Sequence, residues 1–518
     1  MLKMVDGTGI IGVDMVCPLG GAVSPPQPPN YDNVEMEGMG SLTLQNSLKA
    51  PLERLELIGN STQGENPAPD NPQEIESVGR KSKNLLNLQK QPDVKETYLG
   101  WKVSDGRNVV LSVKDKGNNA DITGCYLGLS RTGGSSDGVV WVVNNGSVAV
   151  KEVVSKNQYV SVSPSNETTV RKLLERFDIQ VEYGNNATDY EPYGYLLDVK
   201  VTGENLLSNK PTDWMIGKTT SWGAVPQTPV SYGKNVKNAI ATINVKSSTN
   251  YSFINKETNK LWVCRIIELD ANGLGLVNHA LYANESFNYK KYNFSTRSNT
   301  ANIVFEIKKV DNTELLSTDI ESNKIMLVEG EVNESTPYEP YTEQAMQIVL
   351  DEPLRGIGDY KDTITKDGVV RKIKRTVFDG GEDEKWGIAI ERENVINFVS
   401  TQFSDAIKIN EHQRSMMDKL KWSSGVWGRD EVGQDMFARI LRMNMPKTLT
   451  PDLQTFKTWL SQNPLTVDYV LAEPVTEPLP ESVQDQLSAL HSENGTTHVF
   501  VDSGEVPCGI KLTYRKEK

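Results

Sequence analysis

Short runs of β-branched and aromatic residues recur along this chain of 518 residues, and Gly, Asn, Asp and Ser separate them. Residues 109–113, 139–143 and 159–162 are runs of this kind, and residues 239–245 alternate with a period of two. Such runs and spacers are typical of short strands joined by turns. The pattern predicts a mainly β protein, made of serial β-sandwich domains of the jelly-roll type with a few short helices.

Two phrases occur twice in the sequence. Tyr-Glu-Pro-Tyr stands at residues 190–193 and again at 338–341, and an opening phrase, Asn-Leu-Leu, starts at Asn84 and again at Asn205. A repeated start and a repeated stop predict two copies of one structural unit of about 110 to 140 residues, a common domain size. The proline and tyrosines of the closing phrase favour an extended clamp along the finished unit over a plain linker.

Composition divides the chain further. The first part is rich in Gly and Pro and poor in core-forming residues, so it is either an arm that docks on a partner or an unstructured leader. The predicted parts are an attachment arm at 1–48, an extended strap at 49–83, β-sandwich repeat 1 at 84–200, β-sandwich repeat 2 at 201–341, and a C-terminal β-rich module at 342–518.

The C-terminal module is expected to combine strands with short helices. Asp367 and Gly368 predict a tight hairpin turn. Apolar residues at helical spacing predict a helix over 451–461, with Thr450 as its cap, and a second helix is predicted over 482–490.

Several passages carry a resemblance to a known family. Residues 49–72, 350–359 and 471–480, together with the repeated phrases, resemble minor structural proteins of tailed bacteriophages that infect Gram-positive bacteria. The resemblance implies a tail-fibre, tail-tip or baseplate protein of the virion, located in the phage tail and assembled in the bacterial host cytoplasm. It also implies a homotrimer whose residues 1–48 contact other tail or virion proteins. Repeat 2 resembles carbohydrate-binding modules, which adds a host cell-surface glycan as the expected ligand.

The balance of charge excludes one class of partner. The net charge of -13 argues against nucleic-acid binding, which needs a basic face. The basic run at 371–375 is expected to be the solvated edge of a strand rather than a phosphate site. No apolar stretch approaches the roughly 20 residues of a membrane span, and no signal peptide is evident, so no membrane insertion is expected.

The sequence gives little support for a catalytic or metal site. The cysteines, more than a hundred residues apart, are Cys17, Cys125, Cys264 and Cys508. They form no CxxC pair, so reduced thiols are expected rather than a metal site or a disulfide framework. None of the 4 histidines lies in a nucleophile elbow, and His491 and His498 flank a loop with no helix to align them on a metal. We therefore expect no enzyme, no cofactor and no metal.

Tryptophans in turn-rich passages are the candidate sugar contacts, because aromatic faces with nearby polar groups suit ligand binding. Trp214 and Trp222 lie in one such passage, and Trp427 lies in another beside Arg429 and Asp430. Core packing is the alternative role for each tryptophan.

Three functions remain as hypotheses. The first is a tail-fibre or baseplate receptor-binding subunit that binds host glycan. The second is an architectural virion protein, such as a baseplate spacer or head fibre, that contacts no host. The third is a polysaccharide-degrading tail enzyme, which would need two carboxylates at a fixed separation.

Overall fold

Strands dominate the computed structural model, which describes residues 31–36, 40–46, 49–88, 90–95, 98–132, 138–216, 237–257, 260–271, 273–281, 290–408 and 415–515. The helices in this part of the chain are few and short. The predicted mainly β fold is therefore confirmed. Within the same ranges, no helix combines the length and the apolar character that crossing a membrane requires.

The first described segment supplies short strands that bury one face. Leu42 and Leu44 are buried in one of them, and Leu55 and Leu57 in another, each pair separated by a more exposed residue as a half-buried strand requires. The strands are β1 (Tyr31–Met36), β2 (Ser41–Asn46), β3 (Ala50–Pro51), β4 (Glu53–Ile58), β5 (Ser61–Thr62), β6 (Glu76–Ser77) and β7 (Arg80–Lys81).

Repeat 1 folds as a two-sheet sandwich, here called roll 1. Its elements are β8 (Asp93–Lys95), β9 (Tyr98–Lys102), β10 (Val109–Asp115), β11 (Tyr126–Ser130), β12 (Val140–Asn144), β13 (Ser147–Val148), β14 (Glu152–Ser155), β15 (Tyr159–Ser163), α1 (Glu167–Arg176) and β16 (Phe177–Tyr183). One sheet has the order β13-β12-β11-β15-β9-β8 and the other β14-β10-β16. Asn166 starts α1 by accepting a hydrogen bond from the Thr169 amide at 2.8 Å.

Repeat 2, here called roll 2, follows a single strand, β17 (Tyr195–Thr202). Its elements are β18 (Trp214–Ile216), β19 (Asn238–Asn244), β20 (Asn250–Asn255), β21 (Leu261–Leu269), β22 (Gly275–Ala280), β23 (Lys291–Ser295), β24 (Asn302–Lys309), α2 (Ser317–Glu321) and β25 (Ile325–Glu329). Its sheets have the orders β18-β19-β24-β21-β22 and β23-β20-β25.

The two rolls share one topology. Read in chain order, the larger sheet of each roll contains strands 1-2-7-4-5 and the smaller sheet strands 6-3-8, with a helix between strands 7 and 8. Roll 1 differs by the additional edge strand β13. This order is that of a jelly roll in which strand 1 pairs with strand 2 and so belongs to the larger sheet. The shared strand order is what two copies of one structural unit would have.

The rest of the chain forms a third lobe and returns to the strands of the first segment. The chain continues with β26 (Glu343–Leu350), β27 (Gly356–Ile357), β28 (Tyr360–Lys361), β29 (Thr363–Thr365), β30 (Gly368–Phe378), β31 (Trp386–Glu391), β32 (Val395–Ser400), β33 (Ser415–Met417), β34 (Gly433–Phe437), β35 (Ile440–Pro446), α3 (Leu453–Gln462), β36 (Leu465–Glu477), α4 (Glu481–Ala489), β37 (His491–Ser492), β38 (Gly495–Asp502) and β39 (Gly509–Arg515). Single turns of 3-10 helix lie at Pro211–Asp213, Glu382–Glu384 and Val426–Gly428.

The third lobe is built on a four-stranded sheet with the order β31-β32-β35-β34. Helix α3 packs on this sheet, and the ring of Phe456 stacks on that of Phe398 at 4.0 Å between centroids. Both predicted helices, α3 and α4, and the hairpin turn before Gly368 are confirmed. The cap of α3 is Asp452 rather than Thr450, because the Asp452 carboxylate accepts the Thr455 amide at 2.7 Å.

A central sandwich joins the three lobes. Its sheets have the orders β1-β39-β4-β29-β30-β36-β33 and β2-β38-β17-β26, with β7 also on β17. One core cluster contains Leu57, Val199, Ile348, Val499 and Ile510, all at most 1 % exposed. The sandwich thus combines strands from near both ends of the chain with single strands that lie between the lobes.

This arrangement differs from the predicted serial one. Residues 31–36 and 41–46, predicted to belong to a separate arm, pair with β39 and β38. The strap and the C-terminal module share the central core, because β4 pairs with both β29 and β39. Rolls 1 and 2 and the third lobe are insertions between central strands, so the boundaries at 48, 83 and 342 do not separate bodies.

In each roll, the asparagine of the opening phrase forms hydrogen bonds with the closing phrase. The Asn84 amide donates to the carbonyls of Ile179 and Glu191 at 3.1 and 3.2 Å and accepts from the amides of Leu86 and Val181 at 3.1 Å. Asn205 makes the same set. It donates to Ile325 and Glu339 at 3.5 and 3.1 Å and accepts from Leu207 and Leu327 at 3.0 and 3.1 Å. The opening asparagine therefore fastens the last strand and the closing phrase of its own roll.

The closing phrase also leads directly into the central sandwich. Its copies precede β17 and β26, which pair with each other along their length. Tyr190 and Tyr193 are half-exposed, whereas Tyr341 is buried. The predicted clamp-like placement agrees with these contacts.

Candidate functional site

The predicted sugar-contact residues fall into three different settings. Trp214 is 3 % exposed, and its indole N–H donates to the Ser208 carbonyl at 2.7 Å, so it is a core residue of roll 2 and offers no face to a ligand. Trp222 lies outside the described residues. Trp427, Arg429 and Asp430 lie together in one loop of the third lobe, and the Trp427 side chain is 44 % exposed.

That loop, residues 423–432 and hereafter the Trp427 loop, covers the outer face of the third-lobe sheet. The buried Asn444 side chain in β35 donates to the carbonyls of Val426, Arg429 and Glu431 at 2.9–3.0 Å. Asn397 in β32 holds Asn444 in turn, through a bond of 2.8 Å between their side chains. A ladder of two strand asparagines therefore replaces the hydrogen bonds that an irregular loop cannot make internally.

Asp430 anchors the loop rather than facing outward. Its carboxylate accepts the Asn394 amide at 3.0 Å, the Asn394 side chain at 2.7 Å and the Val395 amide at 3.2 Å. These hydrogen bonds, the backbone bond from Asn394 above all, hold the pKa of Asp430 below its ordinary value. The charge is therefore used to fix the loop, and a ligand would compete with three donors for it.

Two further residues of the sheet complete the exposed surface beside Trp427. The Arg442 guanidinium lies 4.7 Å from the ring centroid of Phe437 and 5.9 Å from that of Trp427. Phe437 is 44 % exposed, as Trp427 is. We call Trp427, Phe437 and Arg442 the Trp427 surface.

Asp435 holds this surface in place. It pairs with Arg442 through both carboxylate oxygens, and it also accepts the Val426 amide at 3.1 Å at the start of the turn that carries Trp427. A bidentate pair fixes the plane of a guanidinium, so both aromatic side chains flank an arginine of set orientation. Rigid aromatic groups next to arginine are the typical anchors of binding surfaces.

Sequence reasoning found the loop of this surface but missed its strand residues. Asp435 and Phe437 in β34, and Arg442 and Asn444 in β35, all project on the outer face, because they alternate with buried methionines and leucine. The signal was a period of two on either side of a turn without glycine. Ala438 and Arg439 form that turn at positive φ, and neither residue type is a typical turn signal.

Other reactive groups are held by neighbours. Cys125 and Cys508 are buried free thiols, as predicted, and burial raises the pKa of Cys508 to about 12. In roll 2, His279 lies between Glu268 at 2.9 Å and the Tyr292 hydroxyl at 3.2 Å. Within the described ranges, no group of three or more His, Cys, Asp or Glu side chains could hold a metal ion.

Comparisons with known proteins give no family for this chain. No family model matches it, and no curated protein matches it. Among solved structures, the infectious bursal disease virus VP2 subviral particle matches at 9% identity over 97% of this chain and 85% of that one, with a TM-score of 0.13. The T13 particle of the same virus matches at 9% identity over 97% and 82%, also with a TM-score of 0.13. At these TM-scores the backbones do not correspond as whole folds, so neither likeness bears on function.

Proposed function

We propose that this protein is a structural component of a phage virion that binds host cell-surface glycan through the Trp427 surface. The virion role follows the resemblance of the repeated phrases and of residues 49–72, 350–359 and 471–480. A central sandwich with projecting lobes suits a protein that presents a binding face outward from a particle. The expected homotrimer would multiply weak single sugar contacts by avidity.

One observation carries the glycan proposal. Trp427 and Phe437 expose large aromatic area on a loop and a sheet that are already fixed by Asn444 and Asp435. Sugar rings have apolar faces that pack on aromatic rings and hydroxyls that pair with charged and amide groups. A prearranged surface loses little conformational entropy on binding, which a weak ligand requires.

The test is binding of labelled protein to host cells and to their isolated surface polysaccharide. We expect Trp427→Ala to weaken binding at least tenfold, about 1.4 kcal/mol per site, and more where several sites act together. Tyr183→Ala is the matched control. Tyr183 is another exposed aromatic residue, 40 % exposed, with the Arg107 guanidinium 3.7 Å above its ring on roll 1. Equal binding by wild type and Trp427→Ala would exclude the Trp427 surface as the glycan-binding site.

A second candidate is the architectural virion protein, and the junctions between lobes favour it. Arg80 of β7 binds Glu191 of the closing phrase at 2.8 Å and reaches Asp198 of β17 at 3.4 Å. Glu343 at the start of β26 binds Lys200 and Lys210 at 2.7 and 2.8 Å. Such ties keep the lobes in fixed positions, as a spacer needs. Wild-type protein that fails to bind any host cell while still incorporating into particles would favour this function.

A further inference from the structure

A cleft lies between roll 2 and the central sandwich, on a different part of the molecule from the Trp427 surface. Its volume is about 620 Å³. Three loops at one end of roll 2 form one wall, namely those that join β19 to β20, β21 to β22 and β23 to β24. Strands β2 and β38 and the connection from β38 to β39 form the other wall. Loops gathered at one end of a sandwich, and clefts between domains, are common positions for ligand sites.

The roll 2 wall presents polar side chains to the cleft. Asn244 and Asn302 stand opposite each other where β19 and β24 meet the loops, and Ser247 follows in the first loop. In the described ranges, none of these three side chains has a hydrogen-bond partner. Each amide offers donors and an acceptor at once, which suits a ligand with many hydroxyl groups.

The opposite wall supplies an aromatic side chain. Phe500 in β38 is half-buried, because part of its ring packs against the core of roll 2, and it stacks with His498 at 6.1 Å between centroids. The lysine at the cleft is already paired with a carboxylate. Lys246 binds Glu329 at 3.1 Å, and Asp502 accepts the Gly504 amide at 3.1 Å.

The two walls are also fixed relative to each other. Thr43 of β2 donates to Glu329 of β25 at 3.0 Å and lies 2.9 Å from Nδ1 of the buried His498. The Lys246 ammonium binds both Thr43 and Glu329, so one polar network crosses the junction between the two bodies. These bonds connect the two walls directly, without a ligand between them.

We infer that this cleft is a second ligand site and that it takes a neutral carbohydrate. The two amides and the Ser247 hydroxyl share the cleft with an aromatic ring, and the Lys246 charge is already paired, which favours an uncharged, polyhydroxylated ligand over an anionic one. The volume lies within the roughly 300–1,000 Å³ typical of ligand sites. The inference extends the proposed function, because it places a second sugar site on the same chain, but it uses none of the residues of the Trp427 surface.

Saturation-transfer NMR tests the inference with defined probes: maltotetraose, cellotetraose, chitotetraose and galactose. We expect transfer to at least one probe from the full chain. In a Trp427→Ala background, which removes the other proposed sugar site, the double variant Asn244→Ala/Asn302→Ala should weaken that binding at least tenfold, and Ser247→Trp should abolish it by filling the cleft. Asn333→Ala, at an exposed roll 2 loop position away from the cleft, is the matched control and should bind as wild type. Melting temperatures of all variants verify that roll 2 stays folded.

Trp427→Ala separates this inference from the proposed function. Binding that survives Trp427→Ala but not Ser247→Trp assigns the probe to the cleft. Transfer to none of the four probes would overturn the inference, and so would transfer to Trp427→Ala protein that persists when Ser247→Trp is added and the protein stays folded. Neither result would affect host-cell binding through Trp427.

Discussion

Two asparagines at equivalent positions of the two rolls make the same set of hydrogen bonds. Asn84 and Asn205 each bond to four backbone groups, of which three are buried and one, in the closing phrase, is half-buried. A buried backbone group without a partner costs about 1–3 kcal/mol. The repeated Asn-Leu-Leu phrase is therefore a fastening device, and its recurrence follows from the recurrence of the fold.

Asn205→Ala should destabilise roll 2 by about 2–4 kcal/mol, because it leaves several of these groups unpaired. Asn209→Ala is the control, since Asn209 lies two residues after the same phrase, is only half-buried and, among the described residues, its side chain makes only a bond of 3.5 Å to the Glu321 carbonyl. Calorimetry of the full chain should show a lower transition for the first variant alone. Equal melting of the two variants would contradict the fastening role.

Single residues also mark the limit of sequence reasoning. Trp214 and Trp427 both follow turn residues in the sequence, yet one is 3 % exposed and the other 44 %. The difference arises from partners far along the chain. Trp214 is the first residue of β18, which pairs with β19. Trp427 lies in a turn that is held by hydrogen bonds from Asn444 and to Asp435. Local pattern identified the residue type but could not identify those partners.

At the scale of elements, the contact between roll 2 and the central sandwich depends on a buried histidine. Burial lowers the pKa of His498 to about 4, with the Lys246 charge acting in the same direction and Glu329 opposing it. The unfolded chain holds this histidine at a pKa of about 6.5, so the neutral form is favoured in the fold. As the pH falls below about 6.5, the unfolded chain takes up a proton at His498 and the folded chain does not. The free energy of unfolding is therefore highest above about pH 6.5 and decreases as the pH falls toward 4.

We therefore expect the junction of roll 2 to lose about 1.4 kcal/mol per pH unit between roughly pH 6.5 and 4. His498→Asn should flatten this dependence. His491→Asn is the control, because the His491 side chain is 28% exposed, and it should leave the slope as in wild type. Melting curves of the three proteins across this pH range measure the slopes. Parallel slopes for wild type and His498→Asn would contradict the assignment.

At the scale of the whole molecule, the chain closes its central sandwich with strands from near both of its ends. The strand pattern predicted the sandwiches, the repeat and the short helices, because these depend on local composition and period. It could not predict insertion, because strand pairing between β2 and β38 joins residues about 450 positions apart and leaves no local signature. The predicted arm and module are therefore parts of one core.

Fragments distinguish insertion from a serial order. Residues 84–193 and 205–341 each contain a complete roll with its own core, so both should fold alone. Residues 342–518 lack β2, β4 and β17, so this fragment should fail to form the central core and should show cooperative unfolding only for its third lobe. Circular dichroism and amide exchange of the three fragments measure this. A fully cooperative, native-like 342–518 fragment would restore the serial arrangement.

The most direct measurement is a cross-link between neighbouring strands of the central sandwich that come from near opposite ends of the chain. Gln45 of β2 and Thr496 of β38 are register partners, with a side-chain hydrogen bond of 2.9 Å on the exposed face. A Gln45→Cys/Thr496→Cys protein should form an intramolecular disulfide on mild oxidation, which peptide mass spectrometry identifies. Its melting temperature should rise in the oxidised form, because the bond closes a very long loop. Free thiols at both positions in the folded, oxidant-treated protein would contradict a sandwich closed by both ends of the chain.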